Sequence, residues 1–88
     1  MLKTETVRIE SLDEDIELRE LSAKAFSDSQ EEDRGVMRAV ISCKYGVVAW
    51  SDRSVDEIAE SEPMRVITEI AYAVAKLSGA ISEDDSKN

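Results

Sequence analysis

The spacing of apolar residues changes at Ser22, and no other feature of the chain constrains its fold as strongly. Before Ser22 the residues alternate. Val7 and Ile9 fall on one face with Arg8 and Glu10 on the other, and in DIELREL Ile16 and Leu18 stand opposite Glu17 and Arg19. Alternation puts successive side chains on opposite faces of a strand. Two such runs around SLDED predict a short hairpin over residues 6–20. An isolated hairpin does not hold in water, so this one has to lie on something helical.

After Ser22 the period lengthens. Ser22 suits the N-cap of a weak helix over AKAFSDSQEED, whose apolar content is Ala25 and Phe26. From Arg34, the residues Val36, Met37, Val40 and Ile41 recur at helical spacing through Cys43, predicting a buried helix to about Lys44. Gly46 is expected to end it in the left-handed conformation that glycine adopts cheaply. VVAW is short and β-branched and reads as an extended connector or a one-edge strand. Ser54 and Glu57 form S-x-x-E, a capping box that starts a short helix over VDEIAE. Ser61 is the expected cap of the last helix, with Pro63 in its first turn. Ile67, Ile70, Ala71, Val74 and Leu77 then form an i, i+3, i+4, i+7 stripe over residues 62–78, and Gly79 stops it. The fold expected is α+β and mostly helical. A short N-terminal β-hairpin packs on three to four helices in one domain, residues 1–80, followed by a flexible acidic tail, 81–88.

Charge separates classes of partner. The net charge is −9, and its excess lies at the two ends: residues 1–33 carry 11 acids and 4 bases, whereas residues 34–80 carry 6 of each. Nucleic-acid backbones and anionic membranes both need a cationic face, so neither is an expected partner. The single Cys43 cannot close an internal disulfide and reads as a small buried hydrophobe. The N-terminal MLKTETVRIE lacks the apolar stretch of a signal peptide, and no run reaches the ~20 apolar residues that span a bilayer.

Catalytic residue types are scarce. The chain has no His, which removes the commonest general base and metal ligand. One Cys without His cannot build a structural zinc site. Asp13, Asp15 and Glu17 have the spacing that opens an EF-hand loop, but Leu18 and Lys24 stand where that loop needs Gly and Glu. The glycines 35, 46 and 79 are isolated, so there is no phosphate loop. The expectation is a protein that is not an enzyme and has no catalytic residues, metal or cofactor.

The order of elements carries a resemblance. An extended segment ending ELREL passes into SAKAF and a buried helix. YGVVAWSDRSVDEIAE follows, and then a long amphipathic helix closing on KLSGA. Over residues 16–80 this resembles the tail assembly chaperones of bacteriophages with long, flexible tails (siphoviruses). In that family a Gly-containing turn precedes an aromatic, a Ser/Thr-Asp pair and a Val/Ile-acid-x-Leu/Ile helix start. Here those places are Gly46, Trp50, Ser51-Asp52 and Val55-Asp56-Glu57-Ile58; Lys44-Tyr45 departs from the acids usual before the Gly. The resemblance implies a non-catalytic chaperone that binds the tape-measure protein and keeps it soluble in the host cytoplasm during tail morphogenesis. It also implies absence from the mature virion. Met37, Trp50, Met64 and Tyr72 are the candidate partner-binding residues, although a connector Trp packed against the last helix and an apolar stripe serving as core are the plainer readings. In the family a −1 frameshift appends a second domain that reaches the tail-tube protein, and Ser86-Lys87-Asn88 can be encoded by a slippery heptamer. Two alternatives stay open, an acidic DNA-mimic inhibitor and a small structural head–tail adaptor.

Overall fold

A computed structural model describes residues 1–80; the expected acidic tail and slippage site, 81–88, lie outside the described residues. Strand β1, Thr4–Ile9, pairs antiparallel with β2, Glu14–Arg19, with Val7 opposite Ile16 and Glu5 opposite Leu18. The helix-facing side carries Val7, Ile9, Ile16 and Leu18, and Ile9 and Leu18 are wholly buried. The reversal between the strands puts Asp13 at φ 55, where a short polar side chain is tolerated. On the outer face Arg8 pairs with Asp13 and lies 3.8 Å from both Glu10 and Asp15.

Helix α1, Ala23–Gln30, begins where the Ser22 hydroxyl accepts from the Ala25 N–H at 3.1 Å. Helix α2, Gly35–Gly46, buries Val40 and Cys43, while Val36, expected in the buried stripe, is 50% exposed. Gly46 is also used differently from the expectation. It remains helical, and the positive-φ glycine of the described chain is Gly79. A Cβ on Gly46 would stand 2.5 Å from Val74 Cγ2, so its lack of a side chain lets two helices touch. The helix ends instead because Val47 turns extended, at φ −92 and ψ 115, and forms a single bridge with Leu18.

Extension lasts for that one residue. Val48–Trp50 forms a 3₁₀ turn in place of the expected connector or strand, and its backbone lies beside α2 and β2 rather than against the last helix. Helix α3, Val55–Ser61, has half of the expected capping box: the Ser54 hydroxyl accepts from the Glu57 N–H at 3.1 Å, but the Glu57 carboxylate turns to Arg53 and Ser61. Ser61 therefore ends α3 instead of capping the next helix. Pro63, at φ −64 and ψ 151, occupies the cap position of α4, Met64–Leu77, where a missing N–H costs nothing. The α4 stripe buries Ile67, Ile70 and Val74 as expected, together with Val66; Ala71 and Leu77 are half-buried. At its end Gly79 takes φ 80, the Ala80 N–H reaches the Ala75 carbonyl at 2.9 Å, and the Gly79 N–H reaches the Lys76 carbonyl at 3.1 Å. These two bonds satisfy carbonyls that a helix end otherwise leaves open.

One core joins the hairpin to α2, α3 and α4, from Ile9 and Leu18 through Val40, Val47 and Ile58 to Ile70 and Val74. Polar contacts tie the hairpin to α4 at both ends. The Glu69 carboxylate accepts from the Glu10 N–H at 2.7 Å and the Ser11 N–H at 2.9 Å, and the Ser78 hydroxyl accepts from the Leu21 N–H at 2.9 Å. The arrangement is the α+β, mostly helical fold expected from the change of period.

Candidate client-binding surface

The surface is grooved where the helices meet through small side chains. Between α1, α2 and the end of α4 lies a hollow of about 250 Å³, lined among others by Leu21, Phe26, Ala39, Ala75 and Ala80. Alanines at two facing positions cannot fill the space that larger residues would. Helix α1 adds little, because its buried residues are Ala25 and Ser29, and the Ser29 hydroxyl donates to the Phe26 carbonyl at 2.8 Å. A second hollow of about 300 Å³ adjoins it, lined among others by Ala23, Gly79 and Ala80. Leu21, Phe26 and Ala80 line both hollows, and Phe26 is 43% exposed, so an apolar ring stands at the rim that the two share.

The four residues singled out from the sequence do not form one site. Tyr72 is 43% exposed and lines a groove of about 380 Å³ between β1 and α4, with Val7, Ala73 and Leu77. Met64 is 60% exposed on the first residue of α4, and Met37 is half-buried against the core. Trp50 is buried, with the Arg53 guanidinium 4.8 Å above its ring. Met37, Trp50 and Met64 line none of these hollows. Phe26 and Leu21 were not among the four; the signal for Phe26 was a lone aromatic on a helix too polar to bury it.

Residues 44–62 fold into a clasp of charged and polar contacts. Arg53 donates from Nε to Glu57 at 2.7 Å, from one terminal nitrogen to Glu62 at 2.9 Å and from the other to the Ser61 hydroxyl at 2.7 Å. Lys44 Nζ donates to the Ser51 and Arg53 carbonyls at 2.9 and 2.7 Å, which holds the Ser51-Asp52 turn closed. The Arg53 bond, supported by the Ser61 hydroxyl, holds the Glu57 carboxyl at about 2. Arg34 does the same for Glu32, also at about 2. Ser11 and the Glu10 N–H lower Glu69. Burial pushes the Cys43 thiol up to about 12, and its Sγ donates to the Ile67 carbonyl at 3.5 Å. Among the described residues no group of three acids, Cys or His is placed to hold a metal, and no helix is long and apolar enough to cross a membrane.

No family model, curated protein or solved structure matches the chain.

Proposed function

We propose that the protein is a non-catalytic assembly chaperone that holds an amphipathic helical client, the tape-measure protein of a long-tailed phage, soluble in the host cytoplasm. The observation that carries this reading is the half-exposed Phe26 with the two adjoining hollows that it lines, an apolar surface on a chain of net charge −9. An amphipathic helix laid there would offer its apolar side chains to Phe26 and the hollows, the usual way a groove reads such a helix. The exposed Met64 and Tyr72 extend the apolar surface available to a long client, and Met suits varied partners. The acidic ends keep the loaded complex soluble. The order of elements over 16–80, which resembles the tail assembly chaperones, supplies the client's identity. A frameshifted longer form would extend the reach to the tail-tube protein.

Co-expression with a tape-measure protein tests the reading. Soluble yield of the client is expected to rise, and Phe26→Asp is expected to abolish the rise without lowering the melting temperature, since Phe26 is 43% exposed. The purified complex is expected to survive ~1 M salt, where charge contacts are screened within about 3 Å. An unchanged yield, or full dissociation on adding salt, refutes the proposal.

A further inference from the structure

Helix α1 stands apart from the rest of the fold. Among the helices and strands it packs against α2 alone. Of its apolar residues, Ala23 and Phe26 are exposed, and the buried Ala25 lies outside the core that joins the hairpin to α2, α3 and α4. Its other buried residue, Ser29, turns its hydroxyl to the Phe26 carbonyl of the same helix. Lys24 and Asp28 likewise pair with each other, at 3.6 Å. The hollow of about 250 Å³ that Phe26, Ser29 and Gln30 share with Ala39 and Ala75 leaves part of the interface unfilled. The residues on either side of α1 are held more firmly. Leu21 packs on the core, and its N–H donates to the Ser78 hydroxyl at 2.9 Å. Beyond α1, the Arg38 guanidinium donates twice to the Glu32 carbonyl, at 3.1 and 2.9 Å.

We infer that α1 is a flap that opens by local unfolding between Leu21 and Glu32 while the rest of the fold stays intact, and that it closes when the hollow is filled. A helix shorter than about 12–15 residues is marginal in water on its own, and α1 has eight. It persists by what it buries, and that is one alanine and one serine. The bonds it gives up on opening lie within the segment itself, such as those from the Ala25 and Phe26 N–H groups to Ser22, and water replaces them. Segments with so few buried apolar contacts open at the low end of a protein's range of local stabilities. The anchors at Leu21 and Glu32 stay made in the open form, so the released segment remains tethered at both ends. Opening removes one wall of the hollow and uncovers Ala39 and Ala75. An apolar group seated between Phe26 and Ala75 touches both walls only in the closed form, so its binding draws α1 shut.

The inference does not rest on the client reading, and no client is needed to test it. Native-state hydrogen exchange of the full chain, followed amide by amide by NMR, reads the opening directly. The amides of residues 27–30 are expected to exchange together and at least ~100-fold faster than those of Val40 and Ile70, which sit in the core and open with the whole domain. Prolines at matched positions give a second measurement, since Ser27 and Thr68 are both exposed and each is the fifth residue of its helix. Ser27→Pro is expected to lower the melting temperature by less than about 5 °C, whereas Thr68→Pro is expected to lower it by roughly 12–24 °C or to prevent folding. Ala75→Leu, or Ala39→Leu from the α2 side, stands in for an occupant by filling the hollow; exchange at residues 27–30 is expected to slow by ~10-fold. Exchange there no faster than at Val40, or a Ser27→Pro as costly as Thr68→Pro, overturns the flap. Exchange at the wild-type rate in both filled variants overturns its closing on an occupied hollow.

Discussion

Gly46→Ala measures how closely α2 and α4 are pressed together. In an ordinary helix the exchange stabilises by about 1 kcal/mol, because glycine loses more backbone freedom on folding. Here the new methyl would meet Val74 at 2.5 Å for Cγ2, 2.7 Å for Cγ1 and 3.1 Å for Cβ. Rotating Val74 about χ1 cannot move its Cβ, and two of the three positions around that atom always carry a methyl. The helices must separate instead. Overpacking a filled core costs about 1–3 kcal/mol; taking the upper end and subtracting the propensity gain leaves a net loss of about 2 kcal/mol. For a domain of this size that lowers the melting temperature by roughly 8–16 °C. Gly35→Ala is the control, since nothing lies within 4 Å of the place its methyl would take; a gain of up to ~1 kcal/mol is expected there. The Gly46→Ala/Val74→Ala double variant should be less destabilised than the sum of the two singles by at least ~1 kcal/mol, because the methyl moves into the space that Val74 leaves. Thermal unfolding followed by circular dichroism reads all four proteins. If Gly46→Ala stabilises as Gly35→Ala does, the contact between α2 and α4 is not the reason for glycine at this position.

Acid should separate wild type from Arg53→Gln. Glu57 ionises at about 2 in the folded protein against 4.5 ordinarily, so its bond to Arg53 contributes fully above about 4.5 and is lost as pH falls through 2. The difference in melting temperature between the two proteins is expected to be largest near neutral pH and to close toward pH 2; a gap independent of pH would refute the assignment. Cys43 is wholly buried with its thiol held up to about 12. A thiol reagent at pH 8 is therefore expected to label it only once denaturant unfolds the chain, and fast labelling of the native protein would contradict its place in the core.

The parts of the fold legible in the sequence are those that repeat. Alternation over Val7, Ile9, Ile16 and Leu18 specified a hairpin face, and the stripe from Ile67 to Val74 specified the buried side of α4; one residue out of step would expose each set. The ends of elements were less legible because several local readings compete there. Ser61 and Pro63 could each begin a helix, and the choice was made by Arg53, which draws Glu57, Ser61 and Glu62 into one cluster and so extends α3 to Ser61. Gly46 looked like a helix stop when its neighbours in sequence were the only guide. Its reason lies 28 positions away, at Val74.

The candidate surface was hidden for a related reason. A groove is made by what is missing between two elements, and alanines at 39 and 75 look in the sequence like ordinary helix formers. Only when α2 and α4 lie side by side does their smallness open a hollow, and only the weakness of α1 leaves Phe26 standing beside it. Trp50 shows the converse. An aromatic beside Ser-Asp in a polar turn looks available to a partner, yet Val47 pairs with β2 and the following 3₁₀ turn swings the indole inward beneath Arg53. Residue type alone ranks Trp above Ala as an anchor. The packing reverses that order here, because an anchor needs exposure and a groove needs small residues, and both are decided by neighbours distant in the chain.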